Sequence, residues 1–311
     1  MNDLLSGAYR GRFAPSPSGP LHFGSLVAAL ASFLDAKSHL GQWLVRIEDI
    51  DTPRTVKGAS DLILSTLDAY GLHWDEHITY QSAQLDFYQT HLEKLFDESQ
   101  LYACQCTRKQ IKALGGIYNN ACRKLELPTI NQAIRIKQNS PVLKFNDLIQ
   151  NKVSVNTSFA TEDYIIKRRD GLFAYQLVVV LDDIHQGITH IVRGADLLEP
   201  TVRQMSLFNV YNENIPLFAH VPLAVAEPGF KLSKQNYAPA IDITKPQLAL
   251  FDALRFLGQA PIPELLHFKV EEIIAWAISH WDINKIPKVT EIQLIKNENN
   301  PHCQFLALKN N

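Results

Sequence analysis

Two segments far apart in the chain carry residues suited to nucleotide chemistry: Arg12 to Ser25, reading RFAPSPSGPLHFGS, and Lys231-Leu232-Ser233-Lys234-Gln235. The first sets a Pro/Ser/Gly turn directly before an apolar helical pattern. Free backbone N–H groups and the positive end of a helix dipole would then face a bound anion. His22 and Ser25 share one face of the first helical turn, and Gly24 lets a flat base or ribose come close to the backbone. The second segment places two lysines around a serine, close to Gly229, as a loop closing on phosphates would. Taken singly, the first is also an ordinary helix start and the second also a solvated lysine pair. A third cluster is softer chemistry. Cys104-Gln105-Cys106, then Tyr118 and Cys122, gives C-x-C-x11-Y-x3-C, three thiols that can close a tetrahedral zinc site once a fourth ligand is found. The competing reading is three unbound thiols near a turn.

These groups need a scaffold that brings distant turns together. Residues 9–14 read as a strand, 21–39 as an apolar helix, and Trp43 to Glu48 as a second strand, followed by helical patterns near 57–70 and 84–98. The alternation predicts an α/β fold, a Rossmann-type parallel sheet. Residues 101–160 break the rhythm with cysteines, glycines and short mixed segments, and read as an insertion. From Asp163 to Leu181 an apolar run resumes, where the sheet is expected to continue, with IVRGAD and a helical TVRQMSLFNVY behind it. Amphipathic helix follows around 246–280. The division expected is 1–100 and 161–237 as two halves of a catalytic domain, 101–160 as the inserted module, and 238–311 as a short helical piece.

Composition narrows the function. The chain has 311 residues and a formal net charge of −2, so nucleic-acid contact requires a local basic patch. No apolar run approaches a membrane span and no signal-peptide pattern opens the chain, which predicts a cytoplasmic protein without membrane contact. A monomer is expected. Four cysteines, three of them crowded into 104–122, fit a reducing compartment better than a disulfide framework. Along 43–48, period-two alternation puts Arg46 and Glu48 on one strand face, and Glu48 falls at the strand's C-terminal end, where parallel sheets bind ligands. Arg12 and Arg193 are guanidiniums expected at the same edge, suited to a planar carboxylate. The competing reading is that Arg46, Arg193 and the Asp49/Asp51 pair make internal ion pairs, which is the commoner role for any one of them.

With these residues in view, the chain resembles the class I aminoacyl-tRNA synthetases and, within them, the glutamyl branch. The resemblance rests on Leu21 to Ser25 as the first signature and Lys231 to Gln235 as the KMSKS-type loop. It also rests on Arg12 to Gly19, Val45 to Asp51, Tyr175 after Arg168-Arg169-Asp170-Gly171, and Arg193-Gly194-Ala195-Asp196. It implies that Arg12, Ala14, Ser16, Glu48, Tyr175 and Arg193 contact L-glutamate, Glu48 on its ammonium. It implies that His22, Gly24 and Ser25 pack on ATP, which brings Mg2+, and that Lys231 and Lys234 neutralise the departing pyrophosphate. Two positions depart from the common pattern. Ser25 stands where a second histidine is usual, and Gln235 where Ser or Arg is usual.

The cysteine spacing is similar to that of one subgroup, the glutamyl-queuosine tRNA(Asp) synthetases, whose inserted module holds a structural zinc with a tyrosine as fourth ligand. That likeness implies Cys104, Cys106, Tyr118 and Cys122 as the ligand set, and Cys303 as a bystander. The residues after Gln235 are expected to be too few for an anticodon-reading domain and to form a stem-contact piece. The implied reaction is activation of glutamate by ATP and transfer to the cyclopentenediol of queuosine at the wobble position of tRNA(Asp). A truncated glutamyl-tRNA synthetase and a non-catalytic tRNA- or zinc-binding relative remain the alternatives.

Overall fold

A computed structural model describes residues 8–113, 115–227, 230–231 and 239–294. Lys231 is described in its backbone only, and Ser233, Lys234, Gln235 and Cys303 lie outside the described residues. The first strand, β1 (Arg10–Phe13), leads through the proline turn into α1 (Phe23–Ser38), and β2 (Gln42–Ile47) returns parallel to β1 with Arg12 opposite Leu44. Then come α2 (Ala59–Ala69), β3 (Thr79–Tyr80), which pairs parallel with β2, and α3 (Leu85–Asp97).

The middle of the chain is antiparallel. β4 (Leu101–Cys104) is followed by the short α4 (Arg108–Ala113), β5 (Ala133–Ile136), a hairpin of β6 (Lys144–Asp147) and β7 (Asn151–Ser154), α5 (Thr157–Thr161) and β8 (Ile165–Lys167). β5 lies between β4 and β8, antiparallel to both. The chain then returns to the parallel layer through α6 (Tyr175–His185), β9 (His190–Gly194), α7 (Thr201–Val210) and β10 (Leu217–Val221), with β9 and β10 parallel. β9 lies beside β1, tied at its entry by the Thr189 N–H donating to Arg10 O at 2.9 Å.

The apolar run at 163–181 differs from the expected continuation of the sheet. It is a three-residue strand followed by a helix whose Leu177 to Asp183 are all buried. A helix buried on every side loses its 3.6-residue polarity pattern, so three successive valines there look like a strand. The last described elements are β11 (Leu223–Glu227), β12 (Phe230–Lys231), α8 (Pro246–Phe256), α9 (Val270–His280) and β13 (Glu291–Gln293). Leu250, Leu254, Ile273 and Ala277 of α8 and α9 share one core with Leu26, Leu30 and Leu34 of α1. α1 is thus covered by the sheet on one side and by α8 and α9 on another, which fixes its N-terminus at the sheet edge. Among the described residues no helix is long and apolar enough to cross a membrane.

Candidate active site

The C-terminal ends of β1, β2 and β9 and the N-terminus of α1 converge on a cleft of about 500 Å3. Arg12, Ala14, Ser16, His22, Gly24, Ser25, Glu48, Tyr175 and Arg193 all line it, so nine residues singled out in sequence from four separate stretches meet in one place. His22 caps α1: its Nδ1 accepts from the Ser25 N–H at 3.2 Å and its Nε2 lies 3.0 Å from Ser25 Oγ. Ser25 thus closes on the histidine ring and keeps it folded over the helix start. The His22 backbone bridges Ala240, and the Ile241 N–H donates to Leu21 O, so the chain after residue 238 returns beside the cleft. Tyr175 reaches the cleft through a turn in which Gly171 takes a φ of +90°, a conformation costly for any residue with a Cβ.

The charged floor shows which arginine is engaged. Arg12 donates from Nε and Nη2 to the two oxygens of Asp183, at 3.0 and 3.2 Å, with both side chains buried. Arg46, wholly buried, lies 2.8 Å from Asp183, 3.4 Å from Asp182 and 3.8 Å from Glu48. Arg46 therefore makes the internal ion pairs that sequence reasoning left open, and Arg12, although it lines the cleft, makes one too. Arg193 differs. Its Nε donates to His220 Nε2 at 3.1 Å and its Nη2 to Thr201 Oγ1 and Gln204 Oε1 at 2.8 and 2.7 Å, all neutral partners. Its buried Nη1 has no hydrogen-bond partner among the described residues. A guanidinium held on one side by neutral acceptors, with its other amino group unpaired, could receive a carboxylate.

Glu48 is the complementary group. Burial pushes its carboxyl up to about 7, against the pull of Arg46 and Arg12. Its Oε1, 3.8 Å from Arg46, is buried and accepts no hydrogen bond among the described residues. Arg12 and Arg46 share Asp182, Asp183 and Glu48 between them, with Arg193 also in the field of Asp183, and an ionised Glu48 could accept an ammonium group. A smaller hollow of about 270 Å3 shares Ser16, Glu48, Arg54 and Tyr175 with the cleft, and is also lined by Asp51, Gln81, Arg168 and Phe173.

Asp182, Asp183 and His220 had not been singled out in sequence. Adjacent aspartates in VVVLDDIH are a readable signal, because carboxylates inside an apolar run need cationic partners. His220, alone in the apolar strand FAHV, gave no such signal.

A second site gathers the cysteines. The sulfurs of Cys104, Cys106 and Cys122 lie within 4.8 Å of one another, with Cys106 and Cys122 at 3.5 Å. Tetrahedral zinc with Zn–S bonds of about 2.3 Å sets sulfurs about 3.8 Å apart, so these residues could hold a metal ion with little movement. Tyr118 Oη sits beside them, accepting from the Cys122 N–H at 2.7 Å, with the Arg135 guanidinium 3.7 Å from its ring centre.

Comparison with known proteins agrees with this geometry. The family described as tRNA synthetases class I (E and Q), catalytic domain, matches residues 8–292. The chain is 56% identical over 297 residues to a Glutamyl-Q tRNA(Asp) synthetase of Colwellia psychrerythraea, covering 92% of this chain and 94% of that one. It is 53% identical over 288 residues to a protein of the same name from Shewanella oneidensis, covering 93% and 95%. Among solved structures, a glutamate tRNA ligase of Elizabethkingia meningosepticum in complex with its amino acid superposes with a TM-score of 0.75 at 26% identity, and glutamate-tRNA synthetase of Elizabethkingia anophelis with 0.76 at 25%. Those matches cover 91% and 93% of this chain, which spans 66% and 68% of the two structures' lengths. With a matching catalytic domain along nearly its whole length, the chain belongs to the class I tRNA synthetases of the glutamyl and glutaminyl branch.

Proposed function

We propose that this enzyme activates L-glutamate with ATP and transfers the glutamyl group to the cyclopentenediol of queuosine at the wobble position of tRNA(Asp). The observation that carries the reading is a single cleft joining a helix N-terminus to a guanidinium and a carboxylate suited to an amino acid. The relatives named Glutamyl-Q tRNA(Asp) synthetase, matched over more than nine-tenths of both chains, supply the acceptor.

In this reading ATP lies along the start of α1, with His22, Gly24 and Ser25 against it and its phosphates toward the helix N–H groups. Mg2+ enters with the nucleotide. Glutamate lies between Arg12, Ala14, Ser16, Tyr175, Glu48 and Arg193, with its ammonium on Glu48 and a carboxylate on Arg193. An α-carboxylate oxygen attacks the α-phosphorus, and pyrophosphate leaves as Lys231 and Lys234 offset its charge. A ring hydroxyl then attacks the acyl carbon, the bond to AMP breaks, and the hydroxyl proton passes to the AMP phosphate or to solvent. The chain contributes positioning and electrostatics to both steps.

Glutamate-dependent exchange of pyrophosphate into ATP tests the first step, and its pH profile tests the role of Glu48. Ammonium binding needs the ionised carboxylate, so the apparent affinity for glutamate should improve as pH rises through about 7. Below that pH it should weaken by roughly tenfold per unit. The same raised carboxyl stabilises the unliganded fold below its ordinary value of 4.5 and loses that contribution as pH rises toward 7, so glutamate should raise Tm more at pH 8 than at pH 6. A pH-independent glutamate affinity would remove Glu48 from the ammonium site.

The reading extends to the metal and the modules. Residues 101–160 form a module held by zinc on Cys104, Cys106, Tyr118 and Cys122, with 1–100 and 161–237 as the catalytic halves and 238–311 touching the tRNA stem. Four protein ligands leave zinc no open position, which makes it structural. Purified protein should carry about one zinc per chain. Cys122→Ser should lower zinc occupancy and reduce transfer to tRNA much more than pyrophosphate exchange. Zinc-free protein with full transfer activity would overturn this assignment.

A further inference from the structure

We infer that Asp147 and His220 are positioning residues: they fix the hydrogen-bonding direction of Arg193 and so aim its open Nη1 at the substrate carboxylate. The inference rests on the reading of the cleft as a glutamate site, because neither residue lines that cleft. Both are buried behind it. Asp147 ends β6, in the hairpin outside the parallel layer, and His220 lies in β10.

The carboxylate of Asp147 is saturated. One oxygen accepts from the backbone N–H groups of Ile149, Gln150 and His220 at 2.9, 2.8 and 3.2 Å, and the other lies 2.6 Å from His220 Nδ1. Three donated N–H bonds and a buried acceptor leave one arrangement for the imidazole: neutral, with its proton on Nδ1 toward Asp147. Burial supports the neutral form, pushing His220 down to about 4. The lone pair is then on Nε2, where the Arg193 Nε–H arrives at 3.1 Å. Thr201 Oγ1, 3.2 Å from the same nitrogen, can spend its single proton on Leu197 O at 2.8 Å while accepting from Arg193 Nη2. Every contact behind Arg193 therefore has one polarity. The guanidinium is held by three of its five protons, and the remaining two, on Nη1, stay available for a ligand.

The proton direction gives the test. In Asp147→Asn the amide oxygen keeps the three backbone donors, so its NH2 faces Nδ1 and the imidazole proton moves to Nε2, opposing the Arg193 Nε–H. Two donors then face each other in a buried site. Pyrophosphate exchange should show KM for glutamate raised about 10- to 100-fold, the cost of one misdirected charge-assisted hydrogen bond, with KM for ATP within about twofold. NMR of the imidazole nitrogens should show the tautomer exchanged. Should Asp147→Asn not fold, His220→Gln should lie within about threefold of wild type and His220→Leu at least about tenfold worse in glutamate KM alone. Equal changes in both KM values, or His220→Leu no worse than His220→Gln in glutamate KM, overturns the inference while the glutamate reading stands. Wild-type protein without glutamate-dependent exchange overturns both.

Discussion

Given ATP and labelled glutamate, the enzyme should label tRNA(Asp) that carries queuosine and leave the same tRNA carrying guanosine unlabelled. Removing the 3′-terminal adenosine should not change the yield. The two tRNAs offer identical backbones and 3′ ends, so electrostatic attraction to the polyanion cannot separate them. The difference is the nucleophile itself: guanosine has no cyclopentenediol hydroxyl to attack the acyl carbon. A missing reacting group abolishes a step, whereas a missing contact only weakens it, so the ratio should exceed about 10⁴, the scale at which a site rejects an analogue lacking a required hydroxyl. Glutamate-dependent pyrophosphate exchange should proceed without any tRNA. Label on the 3′ adenosine would instead identify a glutamyl-tRNA synthetase of the kind represented by the Elizabethkingia structures. No exchange at all would leave a non-catalytic binding protein.

The parts of the site legible in sequence are those fixed by local turns. The proline turn before α1, the strand end at Glu48, the Gly171 turn before Tyr175 and the Arg193-Gly194 strand exit each combine breakers with a charge, and each delivers its residue to the cleft. What could not be read is what three-dimensional burial decides. Leu177 to Leu181 have neither strand alternation nor helical polarity, because α6 is covered all round. The partners of the arginines were hidden for a related reason: Asp183 binds Arg12 across 171 positions of chain, and Asp147 reaches His220 across 73, distances at which no spacing rule operates. Charge type told that Arg12, Arg46 and Arg193 needed carboxylates or ligands. Only the fold distributes them, committing Arg12 and Arg46 to Asp183 and leaving one edge of Arg193 open.

That distribution separates the expected effects of Glu48→Gln and Arg12→Ala. Both should weaken glutamate use far more than ATP use, by roughly 30- to 4000-fold, the cost of about 2–5 kcal/mol for removing one partner of a desolvated charge pair. Their effects on the fold should be opposite. Glu48 is ionised above pH 7 only against the cost of burial, and glutamine has nearly the same shape without the charge, so Tm of the unliganded Glu48→Gln protein should hold or rise. Arg12→Ala strips one of the two cations from Asp183, which is buried, and leaves Arg46 to serve Asp182, Asp183 and Glu48 alone. Breaking a buried pair in this way costs about 3–5 kcal/mol, so Tm should fall together with glutamate affinity. Glutamate KM from pyrophosphate exchange and Tm at pH 8 are the two measurements. A Glu48→Gln enzyme with glutamate KM changed less than about threefold would make Glu48 a counter-ion of Arg46 and Arg12, since the charge-pair cost expected at a ligand site would then be absent.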